Sequence, residues 1–386
     1  MKKLVLAALV GFVLTGCGGG GGSDESKPTP PPVVDVKPVA AQGAINKVNY
    51  ANKTVEVNGH TYQVERVQYG SNNKLPINEK LSINDLEPNM MVQVSTQAKS
   101  GAVVYIEPTM VGMISSISSD RKTFVVNGVT LTFDMNAEFK PLDWVMVSSL
   151  PQATADGLGY KVLSVVKIEQ DDVDGQYEIE GRLSNLDQNT QTFKLGANTN
   201  VYFGDAIIED NATLTNGQWV EVKGQMLNKE FHATEVEVET YDDSDNDHEI
   251  EGIVTWVNSD KSQFELNARG RFIVNSQTRF EDGSKVNLVA GELVEVTAVN
   301  GVAKEIEFER DFGGETGNWR EFEREGYVSS VSYDHFMIAG ETFYVDAYTE
   351  FEDNLKLETL NGVYIDVEGV IIDGKKVARE IEREDD

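Results

Sequence analysis

The sequence predicts an all-β chain of about five tandem small modules, either antiparallel β-barrels of OB-like type or sandwiches. Three observations carry this. A triplet of glycine, any residue, then an aliphatic recurs along the body: Gly43-Ala44-Ile45, Gly112-Met113-Ile114, Gly181-Arg182-Leu183, Gly252-Ile253-Val254 and Gly326-Tyr327-Val328. The opening glycines lie 69, 69, 71 and 74 residues apart, a regular spacing that marks repeated units. Short alternating apolar–polar runs follow each triplet, with almost no helical period between them.

Each unit reads strand by strand. After the opening strand comes a hairpin. Thr54-Val55-Glu56-Val57 turns at Asn58-Gly59 into Thr61-Tyr62-Gln63-Val64, and Thr123-Phe124-Val125-Val126 turns at Asn127-Gly128 into Thr130-Leu131-Thr132-Phe133. Asn-Gly is a strong hairpin signal because both central residues need positive φ. Gly196, Gly270 and Gly340 are expected to serve the later units. A third run follows: Met91-Val92-Gln93-Val94, Trp144-Val145-Met146-Val147, Trp219-Val220-Glu221-Val222, Leu293-Val294-Glu295-Val296 and Tyr364-Ile365-Asp366-Val367. A closing run such as Thr234-Glu235-Val236-Glu237-Val238 or Lys304-Glu305-Ile306-Glu307-Phe308 completes each unit.

Five twisted strands in so short a unit favour a partly closed barrel, which limits exposed edges; a small sandwich is the alternative. The predicted modules span 42–109, 110–170, 178–240, 249–310 and 323–386. Five cores in a row suggest a string of beads or a stacked rod.

The combined pattern is Gly-x-aliphatic, Thr-Phe-x-Val-Asn-Gly, Gly-x-Trp-Val-x-Val and Ala-x-x-Ile-Glu. It resembles the bacterial domain of unknown function 5666, whose members are often tandem and often exported. The resemblance covers about 345 residues. The second to fifth units carry it best. The first diverges, with Pro88-Asn89-Met90 in place of the glycine before its third strand. The motifs mark structural positions, and the resemblance implies no activity.

Ahead of the modules, residues 1–16 read as a lipoprotein signal peptide. Lys2 and Lys3 precede an apolar stretch, Leu4 to Leu14, too short to span a bilayer. The run Leu14-Thr15-Gly16-Cys17 resembles a lipobox, which makes Cys17, the single cysteine, the expected lipidation site. Residues 17–41 then form a Gly/Pro-rich flexible tether. Gly18 follows the cysteine where aspartate signals inner-membrane retention in lipoproteins. The resemblance therefore implies the bacterial outer membrane, with the protein held by its lipid and facing the periplasm or the surface.

Charge divides the chain. Net charge is −31. Residues 1–168 hold 15 Lys and Arg against 14 Asp and Glu, so residues 169–386 carry all of the excess. That balance argues against a nucleic-acid partner. Glutamates alternate with aliphatics on opening and closing strands, as in Glu235, Glu237 and Glu239, or Glu305, Glu307 and Glu309. Residues i and i+2 share a face, so acids line up outward; if opening and closing strands are neighbours, two acidic rows meet. A solvated surface is one reading and divalent-cation binding the other. The candidate calcium ligands are Asp243, Asp245, Asp247 and Glu249, with Asp171-Asp172-Val173-Asp174-Gly175 a weaker second segment.

The sequence carries no pattern that marks a catalytic constellation. The four histidines, His60, His232, His248 and His335, lie in different units without zinc spacing. No nucleophile elbow, P-loop or dinucleotide fingerprint occurs. Trp144 and Trp219 occupy equivalent strand starts and read as core rather than as a glycan platform. The expectation is a non-catalytic envelope lipoprotein that requires no cofactor, a tethered β rod for binding or spacing. The alternative is a module that binds a glycan, a peptide or calcium on its barrel faces. Its partners are the membrane, reached through Cys17, and an envelope protein or glycan.

Overall fold

The computed structural model describes residues 38, 40–70, 81–96, 101–154, 157–196, 199–228, 230–241, 248–309, 320–372 and 374–384. Among these, strands dominate and no α-helix occurs; 3-10 turns such as Ile83–Asp85 stand between the third and fourth strands of modules 1, 3, 4 and 5, and Gln170–Val173 lies between modules 2 and 3.

Module 1 contains five strands: Ala40–Asn49, Thr54–Val57, His60–Tyr69, Met91–Ser95 and Ala102–Ile106. The first pairs antiparallel with the second and the fourth, and the second with the third. The third pairs parallel with the fifth, and the fourth antiparallel with the fifth. The ring order 1-2-3-5-4 is thereby closed, which is the OB barrel and not a sandwich.

The same ring closes module 3, whose first, fourth and fifth strands are Tyr177–Asp187, Trp219–Leu227 and Glu230–Val238. Module 4 repeats it with His248–Val257, Leu293–Val299 and Val302–Phe308. Module 5 does so with Glu321–Val331, Tyr364–Ile372 and Lys375–Arg383. Module 2 keeps the order, but no ladder joins its third strand, Val129–Thr132, to its long fifth strand, Gly157–Ile168.

Every opening strand shifts register just past its glycine, between Ile45 and Lys47 in module 1 and between Val254 and Trp256 in module 4. The extra residue bends the strand, so that its first half pairs with the fourth strand and its second half with the hairpin. Inward positions are apolar: in module 4, Ile250, Val254, Phe264, Leu266, Phe272 and Ile306 are all buried.

The opening glycine and the hairpin asparagine belong to one device. Asn58, Asn127 and Asn267 all have positive φ in their turns. Each donates through Nδ2 to the carbonyl just before the opening glycine: Gln42 at 3.4 Å, Val111 at 3.0 Å and Glu251 at 3.3 Å. A Cβ on Gly43 or Gly112 would stand 2.1 or 2.2 Å from the amide oxygen, so only glycine leaves room. In module 4 the turn is therefore made by Asn267 and Ala268, both at positive φ. Gly270, expected there, instead begins the next strand.

Module 3 lacks the asparagine, with Leu195-Gly196 at its hairpin. There Tyr160, from the long hairpin of module 2, donates its hydroxyl to the Glu180 carbonyl at 2.7 Å and fills the space over Gly181. Asn127 also donates to the Glu178 carbonyl of module 3 at 2.6 Å. Asn127→Ala should therefore cost about 1–3 kcal/mol in urea unfolding, since two buried carbonyls lose their donor; an unchanged midpoint would deny the asparagine this role.

The modules do not stack in sequence order, which corrects the expected rod. The opening strand of module 1 pairs parallel with that of module 4 through Ala40–His248, Ala41–Glu249 and Gln42–Ile250. The opening strands of modules 2 and 3 pair antiparallel at Val111–Glu178 and Met110–Ile179. Module 5 meets both module 3, where Ala347 N donates to Asn216 O, and module 4, where Val257 N donates to Glu321. The outward faces explain this: those of modules 3 to 5 are rich in acids that need partners, and that of module 2 is apolar, with Val111, Met146 and Val166 packed on the core of module 1.

Candidate functional site: the outward grid and the module junctions

On each outward face, the ladder places six side chains in two rows of three. Module 3 has Glu178–Lys223–Glu235 and Glu180–Glu221–Glu237. Module 4 has Glu249–Thr297–Glu305 and Glu251–Glu295–Glu307. Module 5 has Glu323–Glu368–Glu380 and Glu325–Asp366–Glu382. The same positions in module 2 are neutral, with Ser148 facing Ser164 and Met146 facing both Val111 and Val166. Opening and closing strands are thus not neighbours. The fourth strand lies between them and adds its own acids, so the condition for two rows to meet directly is not fulfilled.

In module 3 the grid is buried against modules 1 and 4. Glu178 is 1% exposed and accepts from the Tyr69 hydroxyl of module 1. Burial, then the charge of Glu221, pushes its carboxyl well above the ordinary value. Lys223 is ion-paired with Glu221 and stands 3.9 Å from Glu178. Burial lowers its ammonium pKa, but Glu221 and Glu178 outweigh that and raise it. Glu180 accepts from Trp219 Nε1 at 3.0 Å and pairs with Arg269 of module 4, which also lies over the Trp219 ring. Glu107 of module 1 closes the junction; burial, then Glu221 and Glu180, pushes it up to about 8.

A second junction joins modules 3, 4 and 5. Arg379 is 1% exposed, with its Nε 2.9 Å from Glu265 and its Nη1 3.2 Å from Asp346. Arg182 donates to Asp346 at 2.7 Å. Burial alone pushes Asp346 up, but Arg379 and Arg182 outweigh it and hold its carboxyl below the usual range. Arg271 lies over Trp256, pairs with Glu350 at 2.8 Å, and donates to the Arg379 carbonyl at 2.6 Å.

The module 4 grid, covered by module 1, is the least compensated of the covered faces. His60 stands 3.5 Å from Glu249, and Glu251 accepts from Ala44 N at 3.4 Å. Burial pushes Glu251 up to about 7. Burial, then the Glu309 carboxyl and the charge of Glu249, pushes Glu295 up to about 10.

Cys17, Asp243, Asp245, Asp247 and Trp319 lie outside the described residues. Glu249 belongs to the grid of module 4 and faces His60. Asp171 and Asp172 sit in a 3-10 turn, where Asp172 accepts from Glu169 N at 3.1 Å. Trp219 is buried, as a core reading expects, yet it points away from its own barrel, on the same face as Glu221 and Lys223. Trp144 likewise packs against the core of module 1. Arg269, Arg379 and Tyr160 escaped sequence reasoning, since their partners lie in other modules.

Open grooves occur among the described residues, and two flank module seams. One of about 500 Å³ lies between modules 3 and 5, where Arg182, Lys194, Asn216, Tyr333, Tyr344 and Lys375 line it. The other, about 470 Å³, follows the unpaired seam of module 2.

Fold and junctions together define a tandem OB-barrel protein whose modules are locked by buried ion pairs. The match to the family model named domain of unknown function (DUF5666) covers residues 111–155, 173–237, 251–307 and 325–382, so the chain belongs to this family. The four matched regions fall in modules 2 to 5, and module 1, the divergent copy, lies outside them. A search of curated proteins returned no match.

Proposed function

We propose that this chain is a non-catalytic cell-envelope lipoprotein. Its leader is cut before Cys17, its lipid anchors it in the outer membrane, and its five barrels form one preassembled block that holds or binds a partner. The observation that carries the non-catalytic reading is where the convergent ionisable groups sit. The Arg182–Asp346–Arg379–Glu265 chain crosses three modules and joins them, and the Glu178–Lys223–Glu221 set is covered by modules 1 and 4. Such groups face one another across module junctions and hold the assembly together, which supports a structural over a catalytic role for them.

A glycan platform receives less support. Exposed Tyr50 and Tyr333 sit at comparable turns of modules 1 and 5, but modules 2 to 4 carry Asp120, Asn189 and Asp260 there. The Tyr50 hydroxyl is moreover engaged with the Leu86 carbonyl at 2.9 Å.

The anchoring half of the proposal is tested by metabolic labelling with a fatty acid, because thioether attachment needs the Cys17 sulfur. The wild-type protein should take up label and fractionate with outer membranes. Cys17→Ser should remain unlabelled and accumulate as precursor. Equal labelling of the two would overturn the reading.

A further inference from the structure

The three acidic grids differ in one respect. Module 3 has Lys223 within its grid, ion-paired with Glu221. Module 4 has Thr297 at that position, and His60 of module 1 reaches its Glu249. Module 5 has Glu368 there, so all six of its positions are acidic. Like charges directly opposed across a ladder destabilise it unless something neutralises them.

Three of the six converge. Glu323, Asp366 and Glu368 each place one carboxylate oxygen within 4.8 Å of the others. Asp366 is 7% exposed, and its Oδ1 is buried without a hydrogen-bond partner. Glu380 Oε2, beside Glu368 in the same row, is also buried and unpartnered. Glu368 is fixed from the other side, since its Oε2 accepts from Ser259 N of module 4 at 2.9 Å. Glu323 is exposed and leaves the site open to water and ions. A buried carboxylate oxygen without a donor is costly, and a cation is the partner that these neighbours can accept.

We propose that Glu323, Asp366 and Glu368 form a binding site for a hard divalent cation, calcium foremost. The donors are all carboxylate oxygens, which suit calcium and disfavour softer metals. Oxygens within 4.8 Å of each other can share one calcium shell of roughly 2.4 Å radius. Water entering beside Glu323 supplies the remaining ligands. The cation does in module 5 what Lys223 does in module 3. This inference does not depend on where the protein resides.

The test is calorimetric titration of the full chain with calcium chloride, paired with thermal melts in calcium and in sodium chloride at matched ionic strength. Calcium should bind and should raise the melting temperature more than sodium does. Asp366→Asn should weaken binding on the order of tenfold or more, since even outer-shell changes reach that range. It should also raise the melting temperature of the calcium-free protein, because a repelling charge is gone. Glu323→Gln, at the exposed ligand and therefore without risk to folding, should weaken binding as well. Glu138→Gln, at an exposed position of module 2 outside any such carboxylate trio, should leave it unchanged. Absence of calcium binding, equal melting curves in the two salts, or loss of binding in Asp245→Asn/Asp247→Asn but not in Asp366→Asn would each overturn the proposal.

Discussion

Arg379→Ala is expected to lower the unfolding free energy by about 3–5 kcal/mol, the cost of leaving buried charge uncompensated. Arg379 is the shared cation of Glu265 and Asp346, and all three are almost wholly buried. Truncation leaves two carboxylates from different modules facing each other, with Arg182 still holding only Asp346. Urea unfolding measures the loss, and a fall in melting temperature of roughly 10 °C should accompany it. Adding Asp346→Asn to Arg379→Ala should recover part of the loss, although Asp346→Asn alone destabilises. Strict additivity of the two in a double-mutant cycle would contradict the shared-cation geometry.

Lowering the pH from 8 to 5.5 should stabilise this protein. The relevant carboxyls are raised in the folded state: Glu107 to about 8, Glu251 to about 7 and Glu295 to about 10. Burial comes first in each case. The faces packed on them add Glu221 and Glu180 around Glu107, and Glu249 and Glu309 around Glu251 and Glu295. Lys223 and Arg269 oppose the shift at Glu107. Below the ordinary value of 4.5 both folded and unfolded chains hold these protons. Above it the unfolded chain releases them first, so stability falls until the folded value is passed. Each unit of separation is worth about 1.4 kcal/mol per group. Asp346 has the opposite sign, but its contribution is lost only on acidification below 3.8. The melting temperature should therefore be on the order of 5–10 °C higher at pH 5.5 than at pH 8. Glu251→Gln should flatten the profile. A steady decline in melting temperature between pH 8 and 5.5 would refute the account.

Local chemistry made the hairpins legible. Asn58-Gly59 and Asn127-Gly128 announce their turns because positive φ is a property of the residues themselves. Alternation of acid and aliphatic made the outward rows legible for the same reason. What the rows face was not, because the fourth strand enters between the first and fifth only through the 1-2-3-5-4 ring. Glu221, Glu295 and Asp366 each stand between apolar residues of the third run, so nothing local ties them to the rows. The donor over Gly181 is Tyr160, which lies in another module, so no local signal marks it. Arg379 and Glu265 are far apart in sequence and meet only because modules 4 and 5 pack face to face. The linear rod failed on the same ground: each module looked self-sufficient, while its outward face required a neighbour.

Ala40–Gln42 is hydrogen-bonded on both edges, antiparallel to Gln93–Ser95 and parallel to His248–Ile250. Tension on the chain ahead of Ala40 therefore pulls along a strand that is clamped on two sides. Bonds that lie across a strand are loaded together in shear when force acts along it, not peeled one at a time. Half of that grip belongs to module 4, so force entering at the first strand reaches the acidic half of the body directly, bypassing modules 2 and 3.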